Sequence, residues 1–119
     1  MPAKPDASSS PSSELRLVYT TLPDEAAAEA LGRALIEAHL AACVNIYPGM
    51  TALYEWKGAL ETAREAGMII KTTAPRLPAM LERAAALHPY ETPALLVLGA
   101  AANPDYFAWA EAAVAPPRG

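Results

Sequence analysis

An α+β domain with the element order β-α-β-β-α-β-α follows from three features of the sequence. Runs rich in β-branched and aromatic residues, such as "LRLVYTT" at 15–21, alternate with alanine-rich stretches whose apolar residues recur at helical spacing. Prolines and glycines mark the boundaries, with Pro23, Pro89 and Pro104 beside helices and Gly58 between two extended runs. The chain has 119 residues, 53% hydrophobic and 18% charged, which suits a single core.

Residues 15–21 read as the first strand. "LPDEAAAEALGRALIEAHLA" reads as a helix, with Pro23 in its first turn and Asp24 and Glu25 at the positive end of its dipole. Ala27, Leu31, Ala34, Leu35 and Ala38 form its apolar stripe, and it is expected to stop near Leu40. "ACVNIYPGMTALYEW" (42–56) reads as extended, with a bulge or bend at Pro48-Gly49. Trp56 to Ala59 turns the chain into a hairpin whose return strand is 60–73. Its opening "LETAREA" has helical propensity, which the hairpin partner is expected to override. Residues 74–88 form a second helix, with Pro75 and Pro78 near its first turn and Pro89 ending it. Residues 93–100 read as a strand. Residues 103–114 read as a last helix, capped by Asn103 with Pro104 at its first position.

The first six elements are those of the split βαβ, or ferredoxin-like, fold, in which two helices cover one face of a four-stranded antiparallel sheet. "GMIIKT" and "ALLVLGA" are nearly continuous apolar runs, the pattern of strands buried on both faces. The chain shows no second layer for the open face, so a homo-oligomer is expected. The alternative is that the runs are too short to decide.

Residues 1–13 hold three prolines and five serines and read as a disordered tail, leaving 14–115 as the domain. That tail has no apolar core and is not expected to be a secretory signal, and no apolar run is long enough to span a membrane. The net charge of −4 argues against nucleic acid as a partner. The one cysteine, Cys43, allows no internal disulfide, and a cytoplasmic location is the simplest expectation.

Candidate site residues cluster around "LHPYETP" (87–93). His88 offers an imidazole, a common transition-metal ligand, or serves as a helix-end histidine. His39 reads as another helix-end histidine. Cys43 offers a thiolate for a soft metal, or acts as a small buried hydrophobe. Tyr90 and Glu91, held between Pro89 and Pro93, line a polar cleft or bond across an interface. Lys71 lies in an apolar strand and needs a partner, with Glu65 or Glu91 as candidates. Tyr54, Trp56, Tyr106 and Trp109 are candidate interface anchors, with a stacking platform as the alternative. No phosphate-binding glycine loop or HExxH motif is present, and neither Cys43 nor His88 sits in a nucleophile context. The sequence is therefore read as that of a binding protein rather than an enzyme.

"LAACVNIYPGMTALYEWKG", "IIKTT", "LHPYETPALLVL" and "NPDYFAWA" resemble, in order and spacing, the CutA family of divalent-cation tolerance proteins over residues 15–114. The resemblance implies a ferredoxin-like subunit in a homotrimer similar in architecture to the PII signalling proteins. It also implies a link to copper tolerance, with Cu(II) or another divalent cation as ligand, and no enzymatic activity. The runner-up role is that of a PII-like sensor taking a small effector at the cleft between subunits, and a purely structural trimer is the third. In some members copper is assigned to a cysteine on the first strand and to two consecutive histidines before the Pro-Tyr. The matching positions here are Thr20, Leu87 and His88, so one of the three survives. A second glutamate after "HPYE-x-P" in many members is Ala94 here.

Overall fold

The computed structural model describes residues 14–116, and the expected tail 1–13 lies outside them. The seven expected elements occur in order: β1 (Glu14–Leu22), α1 (Glu25–Glu37), β2 (Cys43–Trp56), β3 (Ala59–Thr73), α2 (Leu77–Leu87), β4 (Leu96–Ala101) and α3 (Pro104–Ala113). The strands form one antiparallel sheet in the order β2-β3-β1-β4. Even-numbered residues of β1 and β3, among them Val18, Leu22, Met68 and Ile70, join Leu31 and Leu35 of α1 and Met80 and Ala84 of α2 in one core. Each large side chain fully buried there is worth about 1.5–3 kcal/mol. This is the ferredoxin-like arrangement, with α1 and α2 on one face.

Helix boundaries follow local chemistry. Pro23 precedes α1 and does not enter its first turn; Asp24 is the cap, its carboxylate accepting from the Ala27 N–H at 2.8 Å. α1 stops at Glu37, short of the expected Leu40. His39 adopts a left-handed φ of 58°, and the N–H groups of His39 and Leu40 return to the carbonyls of Ile36 and Leu35. That is a Schellman stop with histidine where glycine is usual. The buried Thr72 hydroxyl then donates to the Leu40 carbonyl at 2.7 Å, tying the α1–β2 connection to the sheet. The second helix starts as a 3₁₀ turn, Ala74–Arg76, before α2 proper. Asn103 stands at the cap of α3 but makes no side-chain bond there.

β4 begins at Leu96, three residues later than expected. Pro93 has no N–H to offer, and ladder pairing with β1 starts only at Leu96 opposite Tyr19. The expected irregularity at Pro48-Gly49 is present as a register shift between Tyr47 and Met50. Lys57 and Gly58, with φ of 52° and 84°, make the two-residue turn between β2 and β3. "LETAREA" is strand throughout, as its partner dictates.

The other sheet face is only partly bare. α3 lies across one end of it, packing Ala110 and Val114 on Leu15 and Ala42. This corrects the expectation that the chain has no second layer of its own. Elsewhere the apolar run of β4 is left exposed, with Leu96, Val97 and Leu98 each about half accessible. Beyond Met50 and Glu65 the β2–β3 hairpin extends as a two-stranded arm, and its Leu53 and Leu60 are 70% and 79% exposed. The radius of gyration, 16.3 Å, exceeds the roughly 13 Å of a compact chain of this size.

Candidate functional site

His88 is the C-cap of α2, where the backbone turns extended to admit Pro89. Its ring is buried against β1. Nε2 lies 3.0 Å from the Thr20 hydroxyl, and Nδ1 accepts the Tyr90 backbone N–H at 3.1 Å. An N–H pointing at Nδ1 fixes the neutral tautomer, with the proton on Nε2 facing Thr20. Burial lowers the His88 pKa, and the Thr21 backbone opposes that in part. The imidazole is therefore neutral, and both its nitrogens are engaged.

The turn after Pro89 carries Tyr90 to the far side of β1. Its hydroxyl donates to Oε1 of Glu65, and burial first, then the Glu65 carboxylate, raises its pKa well above the usual value. Glu65 is 9% exposed and sits where β3 leaves the sheet for the arm. Tyr90 and Glu65 border a cleft of about 350 Å³. Thr21 lies at the end of β1 beside them, Tyr54 and Trp56 come from the arm, and Glu91, Thr92 and Ala94 from the loop before β4. The cleft is thus acidic and aromatic. A second cavity, of about 450 Å³, lies at the other end near Phe107. Its arginine, Arg16, is already paired with Glu14 at 2.6 Å.

The structure brings together only some of the sequence candidates. Tyr90, Glu91, Tyr54 and Trp56 meet at the cleft. Lys71 does not join them, and neither Glu65 nor Glu91 is its partner. It pairs in register with Cys43 and Leu17, and its ammonium lies 5.5 Å from the centre of the Tyr106 ring. Six residues of strand separate Lys71 from Glu65, about 20 Å. Cys43 is half-buried on the open face rather than sunk in the core, with Asn45 Oδ1 4.0 Å from its sulfur. His88 bonds Thr20 on the opposite, helix-covered face, so the two do not converge. Tyr106 and Trp109 stack at 5.6 Å on α3, with Trp109 exposed. Among the described residues no three His, Cys, Asp or Glu side chains cluster as metal ligands do. The residues present do not fit a copper centre within one chain.

Sequence reasoning left out Thr21 and Thr92, met Thr20 only as the position of a missing ligand, and assigned Glu65 to the wrong partner. A continuous stretch of sequence carries no signal for the Glu65–Tyr90 pair, whose members are 25 residues apart.

The model of the CutA1 divalent ion tolerance protein family matches residues 16–113. The chain belongs to that family. A divalent-cation tolerance protein CutA of Thermus thermophilus is 42% identical over 94 residues, covering 78% of this chain and 91% of its own. One from Escherichia coli O81 is 44% identical over 99 residues, covering 82% and 88%. Among solved structures, CutA from Synechococcus elongatus superposes with a TM-score of 0.83 at 36% identity, covering 87% of this chain and 92% of that one. A CutA of Archaeoglobus fulgidus described as periplasmic gives 0.80 at 30% identity, covering 85% and 99%. Family membership makes this a divalent-cation tolerance protein, and the described residues include no helix long and apolar enough to cross a membrane.

Proposed function

We propose that this chain serves divalent-cation tolerance by binding rather than catalysis, as a cytoplasmic homotrimer whose ligand site is the Glu65–Tyr90 cleft. The observation that carries the reading is the placement of Glu65. A carboxylate nine-tenths buried, held by a neutral tyrosine and facing a cavity walled by two aromatics, is a costly arrangement that a ligand would offset. The exposed arm and the exposed β4 run support self-assembly. Copper ligation by His88 and Cys43 is the second reading, which the family link supports. The geometry favours the cleft, because the His88 nitrogens are engaged and Cys43 lies on the other face.

Thermal-shift screening of small metabolites against the wild type and Trp56→Ala, together with native mass spectrometry in the presence of Cu(II), tests this. A trimer stabilised by a compound that no longer acts on Trp56→Ala supports the cleft. A trimer that retains stoichiometric copper, lost on His88→Ala and kept in Glu65→Gln, overturns it in favour of the metal centre.

A further inference from the structure

Glu65 is 9% exposed and accepts a hydrogen bond from the neutral Tyr90 hydroxyl, and among the described residues of one subunit no Lys, Arg or His forms an ion pair with it. A buried carboxylate has capacity for several donors, and it is stabilised far better by a positive charge than by one phenol. The one cation expected beside it, Lys71, fails to supply that charge. Lys71 lies far along β3 on the Tyr106 ring, and Glu91 adds a second negative charge at the same cleft.

The rest of the lining narrows the class of cation that the cleft would take. A divalent metal ion asks for about four to eight donor atoms converging on one point, and among the described residues no three His, Cys, Asp or Glu side chains cluster in that way. Here Tyr54 and Trp56 of the arm border the same cleft as Glu65, together with Thr21, Tyr90, Glu91 and Thr92. Aromatic faces attract cations that carry an organic shell and shed water readily. The Lys57 ammonium of the hairpin turn lies 5.8 Å from the Trp56 ring centre, so this ring already faces a cation. At about 350 Å³ the cleft has the size of a small-molecule site.

We infer that the cleft between Glu65, Glu91 and the Tyr54 and Trp56 rings binds a small organic ammonium ion, its charged head toward Glu65 and its carbon shell against the rings. The inference rests on the cleft being the ligand site and adds the charge and class of the ligand. Tyr90 positions Glu65 by holding one oxygen and leaving the other free for the ligand.

Isothermal titration of the intact trimer with choline, and with its neutral isostere 3,3-dimethylbutan-1-ol, reads the charge requirement directly. Saturable choline binding is expected, with the isostere at least tenfold weaker. Glu65→Gln keeps an acceptor for Tyr90 and removes the charge, and should weaken choline at least tenfold. Trp56→Leu, on the exposed arm, should do the same without touching the core. Equal binding of choline and its isostere, or unchanged choline affinity in both variants, overturns the inference. Cleft-directed screening hits that are exclusively anionic or neutral, with no choline binding, overturn it while leaving the cleft as a ligand site. If nothing binds and Glu65→Gln dissociates the assembly, the cation belongs to a second copy of the chain. Both readings then fall.

Discussion

Thr20 Oγ1 and His88 Nε2 meet 3.0 Å apart inside the protein, and the bond joins the middle of the sheet to the end of α2. The same imidazole receives the Tyr90 N–H on its other nitrogen. His88 therefore sets the course of the loop that supplies Tyr90 and Glu91 to the cleft. Thr20 stands where some relatives are expected to carry a cysteine, and here that position supports the histidine.

Replacing Thr20 with valine keeps the volume but removes the side-chain acceptor of a buried N–H and leaves it to the Thr21 backbone, at a cost of about 0.5–1.5 kcal/mol. Urea unfolding near neutral pH measures it. A Thr20→Val protein as stable as the wild type would mean that the hydroxyl is not the acceptor.

The His88 ring also makes stability depend on pH. In the unfolded chain it takes a proton near about pH 6.5; in the fold, burial postpones protonation to lower pH. Between those two points the unfolded chain binds more protons, so this contribution is full above the unfolded pKa and is lost as pH falls through the folded one. Protonation would also turn Nδ1 into a donor facing the Tyr90 N–H. The wild type should lose more stability than His88→Asn as pH is lowered from neutral toward about 5. Parallel melting curves from the two proteins across that range would refute the assignment.

Tyr90→Phe removes the hydroxyl that donates to Glu65. Hydrogen bonds to charged groups are worth about 1.5–3 kcal/mol, and the loss should fall in that range. In alkaline absorbance titration, one of the five tyrosines should ionise only above the ordinary range near pH 10, and that late step should vanish in the variant. A wild type in which every tyrosine ionises normally would remove Glu65 as the neighbour of Tyr90.

Much of this architecture is legible in the sequence because it is local. Period and punctuation find seven elements, the Lys57-Gly58 turn and the Pro48-Gly49 irregularity. The α1 end was misplaced because nothing in "EAHLA" marks His39 for a left-handed φ, a role glycine usually fills. The β4 start was misplaced because pairing with Tyr19, and not β propensity at Pro93, decides it. The site was half legible. "HPYE" points to Tyr90 and Glu91, but the partners of His88 and Tyr90 are 68 and 25 residues away. Lys71 was sent to a carboxylate on charge alone, whereas the register places it beside α3 and an aromatic ring.

Gly32 tests packing against propensity. It is buried in α1, and a Cβ there would lie 2.7 Å from Val44 Cγ2 on β2. Alanine favours an exposed helix interior by about 1 kcal/mol over glycine. The clash is with a β-branched side chain that has little rotamer freedom, and overpacking of this kind costs about 1–3 kcal/mol. Gly32→Ala should therefore destabilise despite its better propensity, and Gly32→Ala with Val44→Ala should relieve the clash at the cost of a cavity. A single variant more stable than the wild type in denaturant would show that β2 yields freely.

The arm beyond Met50 tests assembly. An isolated two-stranded hairpin is marginal in water, yet this one continues to Trp56 and Ala59 with Leu53 and Leu60 largely exposed. Such residues raise the aggregation risk of a free arm, whereas a neighbouring subunit covering them would contribute about 25 cal/mol for each Å² of apolar surface buried. Leu53→Glu and Leu60→Glu each place a charge on that surface, and burying it unpaired is costly. Light scattering of each variant at low micromolar concentration should show a lower mass than the wild type, while Glu82→Lys on the exposed side of α2 should leave it unchanged. If both arm variants keep the wild-type mass, the arm lies outside the interface, and the exposed β4 run of Leu96, Val97 and Leu98 becomes the surface to mutate next.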